Sequence, residues 1–112
     1  MARTTTLPMR VTYELGSDVL LATCEPPQDA VSEEKAPDLF LRLSHAVGEV
    51  IGFACLEFSR HAQDAAWLKS LPDVGAFLVD GRSLTLAAVL HETWAALTAR
   101  PFEREVEFIA RP

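Results

Sequence analysis

The pattern of apolar and polar residues predicts two adjacent strands near the middle of the chain. In residues 39–43 every odd position is leucine, whereas Arg42 lies on the opposite face, as in a half-buried strand. Residues 50–58 are apolar on both faces until Glu57, which is typical of a strand in the interior of a sheet. Gly52 lies inside this second strand and indicates a bulge or the close approach of another group. We expect these two strands to anchor the fold.

The residues before this pair predict a hairpin and a surface connection. Strands are expected over 11–15 and 19–23, and a Gly-Ser-Asp turn joins them. Residues 1–9 are expected to be a loose leader. The proline-rich and charged stretch 25–37 is expected to be a surface connection with a short strand around 30–32.

The second half of the chain is predicted to follow the order αβαβ. A helix over 60–70 capped by Ser59, a strand over 74–79, a helix over 84–97 and a strand over 102–109 are expected. In the second helix, one face carries Leu86, Leu90, Trp94 and Leu97. Glutamates alternate along the last strand, which favours a position at a sheet edge, where charges deter further pairing.

These elements predict one α+β domain over residues 1–112. An antiparallel β-meander from the N-terminal half would be packed by two C-terminal helices, with a final edge strand. Apolar residues make up 49% of the chain and the mean hydropathy is +0.13. A domain this small has much surface for its volume, so apolar surface would remain for a homodimer or higher oligomer to cover.

Charge and cysteine content restrict the function classes. The net charge is −6 and the basic residues are scattered, so no binding to nucleic acid or to a membrane surface is expected, whereas a protein partner stays open. The N-terminus lacks the apolar run of a signal peptide, and a cytoplasmic location is expected. There Cys24 and Cys55 would be reduced and buried, and a disulfide between them is the alternative.

Residues 11–60 carry a series of short motifs. They are Tyr13-Glu14, Asp18-Val19-Leu20, Ala30–Glu34, and Gly48–Phe53 continuing to Ser59. This series resembles the DUF2283 family of small, mostly prokaryotic proteins of uncharacterised function. The turn 44–48 and Ala54 depart from the family pattern, which has an acidic turn with glycine and a glutamate after the V-V-G-I motif. Residues 61–112 extend beyond the family core. The resemblance implies no catalytic residues, and it suggests an antitoxin-like partner of a neighbouring toxin.

The sequence predicts no catalytic residue, no cofactor and no metal ion. Four residues could contribute to a site if the fold brought them together: His45, His61, His91 and Glu57. His91-Glu92 begins like the zinc-binding motif HExxH, but residue 95 is alanine and the second histidine is missing. Glu57 is expected to reach solvent or to pair with an arginine of a neighbouring strand.

The preferred functional hypothesis is a non-enzymatic, oligomeric protein-interaction module, although enzymatic activity stays open. The alternative is a small-molecule-binding protein or minor enzyme with a pocket between the sheet and the helix that carries Leu86, Leu90 and Trp94. The antitoxin-like role is a further alternative.

Overall fold

The computed structural model describes residues 6–24, 28–45, 48–79 and 81–97, and the backbone of 102–109. Within these ranges eight strands form one sheet, accompanied by three helices. The strands are β1 (Thr6–Glu14), β2 (Val19–Cys24), β3 (Ala30–Ala36), β4 (Leu39–Ser44), β5 (Val50–Cys55), β6 (Ala76–Val79), β7 (Arg82–Leu84) and β8 (Phe102–Ile109). The helices are α1 (Phe58–Ala62), α2 (Ala65–Lys69) and α3 (Leu86–Ala96).

The strand order is β3-β4-β5-β2-β1-β8-β6-β7, and every neighbouring pair is antiparallel. The predicted α+β class is confirmed, with the first five strands forming an antiparallel sheet from the N-terminal half. The β1–β2 hairpin is also confirmed, closing with Glu14 opposite Val19. β5 lies between β4 and β2, so it is an interior strand, as its apolar pattern predicts.

The position of β8 differs from the prediction, because it is not an edge strand. β8 pairs with β1 on one side and with β6 on the other, and Ile109 lies opposite both Thr6 and Ala76. β1 begins at Thr6, so residues 6–9 of the expected loose leader are part of the sheet, and residues 1–5 lie outside the described residues. Because β1 is longer than expected, its backbone can form hydrogen bonds along one side of β8, while β6 pairs with the other side.

The edges of the described sheet are β3 and β7. β3 is longer than the short strand expected around 30–32, and five consecutive residues of it are exposed, including Glu33, Glu34 and Lys35. β7 has only three residues. A charged edge and a very short edge both discourage pairing with other chains.

In place of the first predicted helix, the structure has two short helices, and the first of them begins two residues earlier than expected. Leu56 and Glu57 form a turn, so the strand predicted over 50–58 ends at Cys55 and α1 begins at Phe58. The chain breaks again before Asp64, whose carboxylate caps α2 by accepting hydrogen bonds from two backbone amides. The later helix is confirmed as α3, and none of the described helices is long and apolar enough to cross a membrane.

The core lies between the helices and one face of the sheet. Its largest fully buried side chains include Phe53, Phe58, Phe77 and Leu90, which join strand and helix residues in one cluster. Phe53 and Phe77 meet edge to face with ring centroids 6.0 Å apart. The four predicted apolar positions of α3 all contribute, with Leu86 and Leu90 buried and Trp94 and Leu97 packed against the cluster.

Gly52 marks a close approach of two strands, as predicted. A Cβ atom at this position would lie 2.5 Å from the backbone carbonyl oxygen of Ala22 on β2. On the other side, the pairing of β4 with β5 shifts register between Arg42 and Leu43, beside Gly52. Both predicted reasons for a glycine inside a strand, a bulge and a close approach, therefore occur together.

Candidate metal centre

Three connections meet at one end of the sheet: the β1–β2 turn, the β3–β4 turn and the link from β5 to α1. Each contains a non-glycine residue with positive φ, namely Asp18 at 56°, Asp38 at 65° and Glu57 at 49°. Two backbone hydrogen bonds tie them together, from Leu56 N to Asp38 O at 2.9 Å and from Phe58 N to Asp18 O at 3.0 Å. Left-handed backbone is unfavourable for non-glycine residues, so it persists where its surroundings hold it.

Asp18 connects the β1–β2 turn to α1. Its carboxylate accepts hydrogen bonds from Ser59 N at 3.0 Å, from Ser59 Oγ at 2.6 Å and from Tyr13 Oη at 2.6 Å. Desolvation by itself would raise the pKa of Asp18, but these hydrogen bonds and the nearby His61 outweigh it, and the pKa is lowered. For Tyr13, burial, the hydrogen bond and the negative charge of Asp18 together raise the pKa to about 12.

His61 is a buried polar side chain with fixed partners. Its ring Nε2 donates to Asp38 Oδ2 at 2.8 Å, and its imidazole stacks on the indole of Trp67 with centroids 4.4 Å apart. Trp67 is held in turn because its Nε1 donates to Pro37 O at 3.0 Å. Since His61 is only 4% exposed, both the orientation of the ring and its approach to Asp38 are set by packing.

Asp38 is held from several sides. Its backbone N donates to Glu34 Oε2 at 3.2 Å, which supports the positive φ of the turn. The hydrogen bond from His61 lowers the pKa of the Asp38 carboxyl; desolvation opposes the shift, and contacts with Glu57 and Arg60 reinforce it. Asp38 is therefore an anionic side chain in a fixed position.

Glu57 and Arg60 complete the cluster on its solvent side. Arg60 Nη2 lies 2.5 Å from Glu57 Oε2 and 3.5 Å from Asp38 Oδ2. The predicted ion pair of Glu57 exists, but its arginine is three residues along α1 and not on a neighbouring strand. Both side chains are more than half exposed, so this side of the cluster is open to solvent.

In the described part of the chain, one group of side chains lies close enough together that it could hold a metal ion. One ligand atom each from Asp38, Glu57 and His61 lie within 4.8 Å of one another. In a tetrahedral site with bonds of about 2.1 Å, ligand atoms are about 3.4 Å apart. For His61 and Asp38 to bind the same ion, the proton on His61 Nε2 would have to leave that nitrogen, and Nε2 and Asp38 Oδ2, which are 2.8 Å apart, would have to separate by about 0.6 Å.

Of the four residues singled out from the sequence, the fold brings two together. Glu57 and His61 belong to this cluster, whereas His45 is exposed in the turn at the opposite end of β4 and His91 is exposed on α3. Sequence reasoning missed Asp38. The signals that could have found it are its place in a Pro-Asp turn and the four-residue spacing of Glu57 and His61 at the start of a helix.

The cluster does not have the arrangement of a covalent catalyst. The hydroxyl of Ser59 donates to Asp18 and not to His61, so no nucleophile–base pair is formed between these two residues. Cys55 is fully buried, and desolvation followed by the charges of Asp38 and Asp18 raises its pKa to about 12. Cys24 and Cys55 are both buried, as predicted, and form no disulfide in this structure.

A separate cleft of about 310 Å³ lies between α2 and the start of α3. Its lining includes Leu68, Leu71, Thr85 and Leu86. Of the three helix residues expected to form a ligand pocket, Leu86 lines this cleft, whereas Leu90 and Trp94 do not. Its position is therefore between helices, not between the sheet and α3.

Comparisons with family models, curated proteins and solved structures found no match to this chain. The resemblance of residues 11–60 to DUF2283 stays a prediction based on its short motifs.

Proposed function

We propose that the protein binds a divalent metal ion through Asp38, Glu57 and His61. The observation that carries this proposal is the convergence of their ligand atoms within 4.8 Å, although the residues come from two separate parts of the chain. Two carboxylates and an imidazole offer oxygen and nitrogen ligands, which suit Zn²⁺ or Mn²⁺ better than the soft metals that prefer sulfur.

The environment of each ligand supports the proposal. His61 is oriented by Trp67 and cannot turn away, because it is buried. Asp38 is anchored by Glu34 and by the positive φ of its turn. Three protein ligands on a solvent-open cluster would leave a coordination position for water, as in metal sites that react with or exchange small ligands.

The proposal is tested by titrating the purified protein with Zn²⁺ and, separately, with Mn²⁺ in a calorimeter. We expect one ion per chain and a raised melting temperature with the preferred metal. Glu57→Gln should abolish most of the binding, and it is a mild change because the side chain is exposed. Glu92→Gln is the matched control, since Glu92 also pairs with an arginine, Arg82, but lies on α3 away from the cluster. Equal binding by the two variants, or none by the wild type, would overturn the proposal.

As a second candidate, we propose a homodimer that acts through protein contacts. Three large apolar side chains within the described ranges are exposed: Leu15 at 72%, Val31 at 46% and Leu56 at 37%. Leu15 and Leu56 lie in connections at the same end of the sheet. Buried cysteines that form no disulfide fit the reducing cytoplasm that we propose as its location.

Assembly is tested by analytical ultracentrifugation over a wide range of concentrations. We expect a dimer for the wild type and a weaker dimer for Leu15→Ser, which removes apolar surface without touching the core. A strictly monomeric wild type at high concentration would refute the homodimer.

The antitoxin-like role rests on the family resemblance, and co-purification with a neighbouring gene product tests it. Ligand binding in a pocket beside α3 likewise stays a prediction.

A further inference from the structure

We propose that Arg60 is a built-in competitor for the metal ion, so that metal binding is an exchange of one cation for another. This inference rests on the proposed metal-binding function and deepens it. It concerns how the same cluster is kept stable without metal and how tightly it can bind one.

The contacts of Arg60 carry the inference. Its Nη2 atom lies 2.5 Å from Glu57 Oε2 and 3.5 Å from Asp38 Oδ2, which are oxygens of two proposed metal ligands. The same Asp38 oxygen also accepts the hydrogen bond from His61. The guanidinium therefore bridges the two carboxylates in the way that a bound cation would.

This contact differs from an ordinary pair along one helix. The Glu57–Arg60 pair alone, three residues apart, would be a common surface interaction of small energy. Arg60 also reaches Asp38, which lies 22 positions earlier in the β3–β4 turn. The guanidinium thus contacts two of the three proposed ligands and not only a residue at the start of its own helix.

The charges and exposures indicate which group would move. Two carboxylates and one guanidinium leave the cluster at −1, and a divalent ion added beside Arg60 would make it +1 by the same count. Like charges at this distance repel, so the favourable outcome is release of Arg60, which leaves the cluster neutral. The Arg60 side chain is 63% exposed and can swing into solvent, whereas that of His61 is 6% exposed and cannot.

Removing the competitor should therefore tighten binding. We expect Arg60→Gln to bind Zn²⁺ about fivefold more tightly than the wild type, which corresponds to the loss of one exposed ion pair that binding would otherwise break. The matched control is Lys69→Gln, which removes the same charge from the exposed end of α2. It should bind within about twofold of the wild type, since net charge alone acts weakly through salt solution.

Calorimetric titration of the three proteins with Zn²⁺ and, separately, with Mn²⁺ separates the possible failures. If the wild type binds and Arg60→Gln binds equally or more weakly, Arg60 does not compete, and this inference falls while the proposed function stands. If Lys69→Gln tightens binding as much as Arg60→Gln, net charge explains the effect and the inference also falls. If no protein binds Zn²⁺ or Mn²⁺, the proposed function itself is wrong. Circular dichroism of each variant verifies that it is folded.

Discussion

Asp18 caps the first helix through Ser59, a residue 41 positions later in the chain. Its carboxylate accepts hydrogen bonds from the backbone amide and the hydroxyl of Ser59, at 3.0 and 2.6 Å. Glu57, which occupies the N-cap position of α1, makes no capping hydrogen bond with its own side chain. The start of α1 is therefore stabilised by the β1–β2 turn, which also places His61 relative to the sheet.

Replacing Asp18 by asparagine should destabilise the protein. An asparagine would tolerate the positive φ of the turn but would lose the negative charge that strengthens three hydrogen bonds, at a cost of about 1–3 kcal/mol in free energy of unfolding. Urea unfolding measures this difference. Asp29→Asn, at an exposed position, is the control and should change little. Equal stabilities of the two variants would show that the negative charge of Asp18 contributes nothing to the cap.

The same carboxylate should make stability sensitive to acid. Its pKa is lowered below the ordinary 3.8, so its contribution is present above about pH 4 and disappears as the pH falls through the folded-state value. The gap in unfolding free energy between the wild type and Asp18→Asn should therefore be constant near neutrality and shrink in strong acid. A gap that widened as the pH dropped would contradict the assigned direction of the shift.

Tyr13 provides a direct optical measure of this network, because it is the chain's only tyrosine. Its pKa is raised to about 12, so tyrosinate absorbance in the folded protein should develop well above the ordinary value of 10.0. A folded-state pKa above the unfolded one means that the stability from the neutral Tyr13 is complete below pH 10 and is lost as the pH rises through about 12. The urea-unfolded chain is the internal control and should titrate near its ordinary value. Asp18→Asn should bring the titration midpoint of Tyr13 in the folded protein back towards that value. An unchanged midpoint would show that Asp18 does not influence the pKa of Tyr13.

Gly52 should be the glycine least tolerant of substitution among those whose surroundings are described. A Cβ there would meet the carbonyl oxygen of Ala22 at 2.5 Å, and because that atom is backbone the strands must move apart. We expect Gly52→Ala to cost about 1–3 kcal/mol in free energy of unfolding, as for other overpacked sites. Gly16→Ala is the control, since nothing lies within 4 Å of its Cβ position. Similar midpoints in thermal unfolding would contradict the close approach of β2 and β5.

The sequence identifies the strands of this fold better than it identifies which strands pair with each other. Leucines at alternate positions and the apolar run after residue 50 are local patterns, and they identify β4 and β5. The position of β8 in the sheet depends instead on which other strands have an edge free to form hydrogen bonds with it. The glutamates of β8 suggested an edge, but β1 begins at Thr6 and supplies the partner that places β8 inside the sheet.

The sequence predicts only part of the candidate site, for a similar reason. Glu57 and His61 are four residues apart, a helical spacing, but a strand predicted to continue to Phe58 assigns Glu57 to an extended backbone. The left-handed turn at Glu57 ends the strand early and directs its carboxylate towards Asp38. The approach of the 37–38 turn to the 56–57 turn is a tertiary contact, and no local pattern in either segment encodes it.

Trp67 should control metal affinity without touching the metal. Its indole stacks on His61 and donates a hydrogen bond to Pro37 O, so it positions one ligand and the turn that carries Asp38. Trp67→Phe keeps an aromatic ring but loses that hydrogen bond, and we expect Zn²⁺ affinity to fall about tenfold, as for other residues that orient metal ligands. Trp94→Phe is the matched control, because Trp94 lies on α3 and packs edge to face on Phe58 rather than on a proposed ligand. Calorimetric titration of both variants, with their melting temperatures, distinguishes positioning from general destabilisation. If the two variants lose affinity only in proportion to lost stability, Trp67 acts as a core residue and the positioning role is wrong.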